Sequence, residues 1–337
     1  MTCGLGLAAV GVLALEIATT HERDAVILHG FTGLYQSDLG APIEAVARVV
    51  DPLPYACAGL LLIAVALRRR RQSQALVSAA VLVGSGVTAQ ALKHLLAEPR
   101  YAQWLLGHQV DRASWPSGHA TAVMALALCA VLVAAPAWRP LVALVGGAVA
   151  LAVAYATLAL AWHYPSDVIG GYLVAGLWVS LALSVVPADD AICTRRRAPA
   201  SVSLCTFGGL VGAVAAAALV GAAAGRVGLD TADRVTAGAG ALAIALLVVA
   251  MLGAVVMAAR DPATGAERGP SPRRRAVLGV GDIGRGDGTP RAAPSRAGPA
   301  HNRPEVVPEA PDHPLPGHGG SGWAYDRPDM DRRRPSA

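Results

Sequence analysis

Long apolar stretches separated by short polar segments fill the first 259 residues of the chain. Eight of them approach or reach the roughly 17 to 25 helical residues that cross a bilayer. The eight stretches lie at 3–20, 52–67, 75–92, 118–137, 141–162, 168–187, 202–225 and 235–259. This pattern predicts an all-α, polytopic membrane helix bundle in which the first two spans are short.

The composition supports a membrane class. The chain is 54% hydrophobic and only 4% aromatic, with a mean hydropathy of +0.47, which is too apolar for a soluble domain. A net charge of +5 could suggest nucleic acid, but the arginines gather at the ends of apolar stretches, as at 68–71 and 195–197. We therefore predict no nucleic-acid partner. The single lysine, Lys93, among many Arg, Ala, Gly and Pro favours a bacterial source.

The arginine clusters also predict an orientation. If all eight stretches cross the membrane, both clusters lie on one side, which the positive-inside rule makes the cytoplasm. The two chain ends are then cytoplasmic. The outward-facing segments of this multi-pass cell-membrane protein are 21–51, 93–117, 163–167 and 226–234.

The last part of the chain differs in kind. From Arg260 onward the hydropathy falls and 13 of the 23 prolines appear, so we predict a disordered Pro/Arg-rich cytoplasmic tail over 260–337. Its GVGDIG stretch lacks the flanking strand and helix of a dinucleotide site and is a chance match. The five cysteines show no CxxC spacing, which predicts neither a disulfide framework nor a zinc site.

Three polar groups of residues interrupt the apolar pattern at helix ends on the predicted outer side. They are ALKHLLAEPRY at 91–101, WPSGHATAV at 115–123 and HYPSD at 163–167. Pro116 suits the first turn of a helix and Gly118 lets its backbone approach a ligand, so the helix would point free N–H groups outward, at an anion. Lys93 and Arg100, seven positions apart, can converge on the same anion.

Taken singly, each element is ordinary, because interfacial histidines, snorkelling cations and Pro-Ser-Gly helix starts are common. Together they supply what phosphoryl transfer needs. His163 can act as a nucleophile whose ring Asp167 orients, and His119 can act as general acid and then as base. With no Asp/Glu cluster and few soft ligands on this side, we predict catalysis without a metal or other cofactor.

These residues resemble the motifs of the type 2 phosphatidic acid phosphatase superfamily. Its motifs are Lys-x6-Arg-Pro, Pro-Ser-Gly-His and Ser-Arg-x5-His-x3-Asp, and the resemblance covers about residues 50–190. It implies a six-helix core, over 1–187, with a site at the outer membrane face, so that two further helices in 188–259 and the tail are additions. The implied roles are as follows: His163 is the nucleophile, Asp167 its partner and His119 the acid, while Lys93, Arg100, Ser117 and Gly118 bind phosphate.

The sequence departs from the family motifs at two places. Tyr101 replaces the Pro after Arg100, and Ala156-Thr157 stand where Ser-Arg is expected, which removes a phosphate-binding cation. The loss of one charge-assisted contact costs roughly 1.5 to 3 kcal/mol, or about one to two decades in rate. We hypothesise that Arg112, shortly before Ser117, fills this gap.

The leading prediction is a membrane phosphatase acting on a lipid phosphate or diphosphate. Polyprenyl diphosphate, phosphatidic acid, phosphatidylglycerol phosphate and prenyl-linked sugar phosphates all stay open as substrates. A catalytically weak lipid-phosphate binder or scaffold is the alternative that the missing arginine motivates. A transporter would need polar groups at mid-span, and the spans here are nearly free of them, with Glu16 and Gln90 as the main exceptions. We therefore rank a transporter last. The sequence identifies a lipid phosphate and the membrane as partners and leaves protein partners unknown.

Overall fold

The computed structural model of the protein describes residues 2–35, 40–97, 110–185 and 200–258. Within these ranges the chain forms ten α-helices and no β-strand, which confirms the predicted all-α bundle. The helices are α1 (Thr2–Glu16), α2 (Ala18–Tyr35), α3 (Gly40–Ala47), α4 (Pro52–Arg68), α5 (Gln72–Leu95), α6 (Gly118–Val133), α7 (Arg139–Ala159), α8 (Pro165–Val185), α9 (Ala200–Arg226) and α10 (Thr231–Ala258). A short 3-10 turn, Arg48–Val50, joins α3 to α4.

Seven of the eight predicted spans correspond to single helices, α4 to α10. Among the described residues, five helices are long and apolar enough to cross a membrane by themselves, namely α5, α7, α8, α9 and α10. Helix α4 continues from α3 across a bend of 50°, and α6, with 16 residues, is shorter than the five. The protein is therefore a multi-pass membrane bundle.

The N-terminal region differs from the prediction in two ways. The first predicted span, 3–20, is broken, because α1 ends at Glu16 and α2 leaves at about a right angle, bent by 91°. The segment 21–51, expected as an outward loop, contains helices α2 and α3. Helix α2 begins with several polar residues, which lower its average hydropathy, yet it buries Leu28 and Phe31 completely. A hydropathy average does not detect a helix of this kind.

Helix α6 is the centre of the bundle. Its side chains are buried on every face along most of its length, including Met124, Leu128 and Val131. A helix that is apolar all round is stable only when other helices surround it. Here α4, α5, α7 and α8 pack against it. The residue at its first turn, His119, is thereby held at one end of the bundle core.

Helices α9 and α10 form a hairpin that packs on α2 and α7. The contact with α2 is close, since a Cβ added at Gly33 would lie 2.3 Å from the carbonyl oxygen of Ala223. Small residues at such contacts let membrane helices approach each other. The predicted boundary between a core and these additional helices falls in 186–199, outside the described residues. The predicted tail, 260–337, also lies outside them. Both the boundary and the tail stay predictions.

The start of α6 lies directly against α8. A Cβ added at Gly171 of α8 would be 2.6 Å from the carbonyl oxygen of Ser117 and 3.0 Å from the backbone nitrogen of Thr121. A Cβ at the neighbouring Gly170 would be 2.8 Å from Nε1 of Trp115. Because real Cβ atoms need more room than this, Gly171 allows α8 to touch the start of α6, and Gly170 makes room for the Trp115 ring in the preceding loop.

This contact predicts a clear difference between two glycines. Gly171→Ala should push α8 away from α6 and destabilise the protein by about 1 to 3 kcal/mol, the usual cost of overpacking. Gly86→Ala in α5 is the matched control, because nothing lies within 4 Å of its added Cβ. Thermal unfolding in detergent should show a lower midpoint for Gly171→Ala alone. A Gly171→Ala variant as stable as wild type would contradict the close contact.

Candidate active site

The first turn of α8 holds the predicted His163–Asp167 pair together. Asp167 Oδ2 accepts a hydrogen bond of 2.9 Å from the backbone N–H of Tyr164, the residue just before the helix. A carboxylate at the third helical position that bonds back to this N–H forms half of a capping box. The same oxygen lies 3.5 Å from Nδ1 of His163. The helix cap therefore fixes the carboxylate beside the imidazole, and both side chains are buried.

The end of α7 sets the position of His163. Ala161 has φ +53°, and the backbone N–H groups of Ala161 and Trp162 donate to the carbonyl oxygens of Leu158 and Thr157, each at 3.0 Å. These two bonds and the left-handed residue make a Schellman motif, which ends the helix and reverses the chain. His163 follows at once, so it lies in the tight turn between α7 and α8.

The start of α6 is tied to the same turn. The Ser117 hydroxyl oxygen caps the helix by accepting from the N–H of Ala120 at 3.3 Å. The backbone N–H of Ser117 donates to the carbonyl oxygen of Asp167 at 2.9 Å. The Ser117 side chain is completely buried. The two motif regions, far apart along the chain, are thus joined by one backbone hydrogen bond.

His119 consequently faces His163. Their ring centroids are 6.3 Å apart, and the Trp162 ring lies 5.6 Å from that of His119. A nucleophile attacks from about 3 to 3.5 Å, and an acid donates to the leaving oxygen over about 2.6 to 3.2 Å. The 6.3 Å between the ring centroids is short enough for both imidazoles to contact the same phosphate group.

Asp51 is a neighbour of His119 that the sequence analysis did not single out. Its Oδ1 lies 3.6 Å from Nε2 of His119. His119 is in the first turn of α6, outside the five long spans. Burial and the nearby His163 lower the pKa of His119 to about 4. Asp51 acts in the opposite direction and raises this pKa. One signal was available in the sequence: an acidic residue directly before Pro52, at the outward end of a predicted span.

Lys93 lies near the end of α5 and faces the start of α6. A Cβ added at Gly118 would be 3.8 Å from Lys93 Nζ. The ammonium group also interacts electrostatically with Asp167 and with Asp111, an exposed residue of the loop before α6. Gly118 therefore leaves space between a cation and a helix N-terminus, both of which attract anions. Arg100 lies outside the described residues.

The position of the missing family arginine is occupied by a side chain that bonds elsewhere. Thr157 is completely buried, and its hydroxyl donates to the carbonyl oxygen of Ala154 in its own helix at 2.8 Å. It offers no positive charge. Arg112 is exposed in the loop before α6. Its role as a substitute cation stays a prediction.

A large apolar groove of the described bundle lies away from His119 and His163. This groove of about 700 Å³ runs between α7, α9 and α10, and its walls are almost entirely apolar. The described residues also contain no group of three or more His, Cys, Asp or Glu that could hold a metal ion. The convergent polar groups that could act on a phosphate are therefore those around His119 and His163.

Comparison with known proteins identifies the central part of the chain. The family model of the PAP2 superfamily matches residues 74–190, a range that includes Lys93, His119, His163 and Asp167. It does not include Asp51 or the α9–α10 hairpin. No curated protein and no solved structure matches the chain. The resemblance seen in the motifs is thus confirmed over residues 74–190, which match the PAP2 superfamily.

Proposed function

We propose that this protein is a membrane phosphatase that hydrolyses a lipid phosphate or diphosphate through a phosphohistidine intermediate and without a metal. The PAP2 superfamily domain indicates a phosphatase-type function in general. The observation that supports the more specific proposal is the 6.3 Å separation of the His119 and His163 rings, with Asp167 beside His163. Two histidines in this arrangement provide a nucleophile and an acid on opposite sides of one phosphate.

In the first step His163 attacks the phosphorus atom. Asp167 faces Nδ1, so Nε2 is the nucleophilic nitrogen, and the carboxylate stabilises the positive charge that develops on the ring. An N–P bond forms while the bond from phosphorus to the leaving oxygen breaks. The electron pair of that bond stays on the oxygen, which takes a proton from His119 and leaves as an alcohol or, for a diphosphate, as a phosphate.

In the second step water attacks the phosphohistidine. His119 has lost its proton and accepts one from the water, whose oxygen forms a new bond to phosphorus. The N–P bond breaks, its electron pair returns to His163 Nε2, and inorganic phosphate is released. The proton taken from water restores His119, so both histidines are back in their starting protonation states.

Phosphate binding falls to cations and N–H groups around this pair. Lys93 Nζ and the start of α6 at Gly118 lie within contact distance of one phosphate. The resemblance also assigns phosphate binding to Ser117, whose buried hydroxyl accepts a hydrogen bond as the helix cap beside this space. Arg100 and Arg112 complete the proposed set. With Thr157 in place of arginine, the site has one cation fewer than the family motif.

The substrate class follows from where the site lies. His119 and His163 sit at the ends of helices, so a phosphate can reach them from water while an apolar chain stays in the bilayer. The arginine clusters at 68–71 and 195–197 support an extracytoplasmic position for this end by the positive-inside rule. Both chain ends are then cytoplasmic if the bent N-terminal pair α1–α2 crosses the membrane once. A polyprenyl or glycerolipid phosphate fits this geometry equally well.

A second function is favoured by one observation, the replacement of the phosphate-binding arginine by the buried Thr157. A site with weakened transition-state binding would act as a lipid-phosphate binder or scaffold. The phosphate-release assay described next separates the phosphatase from the binder.

The direct test is phosphate release by detergent-purified protein from a panel of lipid phosphates in the presence of EDTA. We expect release by wild type, and a loss of at least about three orders of magnitude in His163→Ala, because the nucleophile is removed. Quenching with a ³²P-labelled substrate should trap acid-labile, alkali-stable radioactivity on wild type only. Lipid binding without release from any substrate would support the binder, and equal release by His163→Ala would reject the phosphohistidine.

Thr157 generates a separate prediction. Because its hydroxyl bonds to Ala154 in its own helix, Thr157→Val should leave both kcat and KM for a lipid phosphate within about twofold of wild type, a change worth less than ~0.5 kcal/mol. Steady-state phosphate release measures both constants. A large rise in KM would show instead that the threonine hydroxyl binds the phosphate and replaces the family arginine.

A further inference from the structure

We propose that Asp51 is a positioning residue for the general acid, and that its carboxylate orients the imidazole of His119 for proton transfer as Asp167 orients that of His163. This inference rests on the proposed phosphatase function. It adds to the site the residue just before α4, which lies outside the part of the chain that matches the PAP2 superfamily.

The backbone of Asp51 is held in place from both sides. Its N–H donates to the carbonyl oxygen of Arg48 at 3.1 Å, and its carbonyl oxygen accepts from the N–H of Tyr55 at 2.9 Å. Pro52 follows at the first helical position, where its fixed φ suits the start of α4. The 3-10 turn and the helix therefore fix the direction from which the carboxylate leaves the chain.

The side chain of Asp51 does not have the usual role of its position. An Asp just before a helix normally accepts a hydrogen bond from an N–H of the first turn. Asp51 makes no such cap bond, and its Oδ1 lies instead 3.6 Å from Nε2 of His119. The carboxylate does not cap its own helix and faces an imidazole on another helix. An interaction with that imidazole explains this orientation better than helix capping does.

The charges around His119 show why this carboxylate matters. His163, from the turn before α8, and Lys93, from α5, both oppose protonation of His119. Among the described residues that act on His119, Asp51 is the one that favours the protonated form. A general acid must carry its proton when the substrate arrives. Asp51 and the incoming phosphate, both negative, together supply the charge that balances an imidazolium here.

The geometry also leaves room for catalysis. A protonated imidazole has an N–H on each ring nitrogen, so one can face Asp51 while the other faces the leaving oxygen. Asp51 itself is partly exposed, with 44% of its side chain accessible, and it does not touch the reacting atoms in this arrangement. Its effect passes through His119, as that of an orienting carboxylate does in a catalytic triad.

The test compares leaving groups in Asp51→Asn. A soluble short-chain alkyl phosphate needs a proton on its leaving oxygen, whereas the p-nitrophenolate of p-nitrophenyl phosphate leaves without one. We expect kcat/KM, which reports the phosphorylation step, to fall at least about tenfold for the alkyl phosphate. For p-nitrophenyl phosphate it should change less than about twofold, and His119→Ala should show the same selectivity.

The matched control is Glu44→Gln, which changes a carboxylate to an amide on the neighbouring helix α3. Glu44 pairs with Arg48 on the surface, so this variant should behave as wild type with both substrates. An equal fall with both substrates in Asp51→Asn would show a merely structural role and overturn the proposal. Unchanged kinetics with the alkyl phosphate would overturn it as well.

A second measurement does not need activity. NMR titration of the His119 ring should show a lower pKa in Asp51→Asn than in wild type, because the carboxylate stabilises the protonated form. An identical titration in both proteins would overturn the proposal. If the titration shifts but wild type releases phosphate from no substrate, the phosphatase function fails while the action of Asp51 on His119 stands.

Discussion

The contact between the first turn of α6 and the first two turns of α8 is the constraint on which the proposed site depends. Gly171 has no Cβ where one would meet the Ser117 carbonyl oxygen at 2.6 Å, and the Ser117 N–H bonds to the Asp167 carbonyl oxygen at 2.9 Å. Two helix starts that touch in this way bring their N-terminal dipoles to one place. His119 and His163, one from each side of the contact, then face a common space.

The remainder of the bundle supports this contact from both sides. The buried Asp24 of α2 accepts a hydrogen bond of 3.3 Å from the N–H of Ser166, in the same first turn of α8 as Asp167. Helix α2 in turn packs against the α9–α10 hairpin, with Gly33 against the backbone at Ala223. The hairpin lies outside the PAP2 match, yet through α2 it supports the helix that carries Asp167.

Sequence patterns predicted what depends on local spacing. Apolar stretches predicted the positions of α4 to α10, and the His-x3-Asp spacing predicted that His163 and Asp167 lie side by side. The hydropathy pattern did not predict helix α2, because the polar residues of its first turns lower the average although its other face is apolar and buried. Asp51 was not predicted because its proximity to His119 depends on how α4 packs near α6, a tertiary contact that no local motif encodes.

The most direct measurement is an experimental structure of the detergent-purified protein with orthovanadate, which adopts the five-coordinate geometry of a phosphoryl group under attack. The arrangement described above predicts vanadium bonded to His163 Nε2, with His119 on the opposite side and Lys93 near an equatorial oxygen. Vanadate bound away from the two histidines would contradict a shared phosphate site. So would imidazole rings of His119 and His163 that lie too far apart to contact the same vanadate.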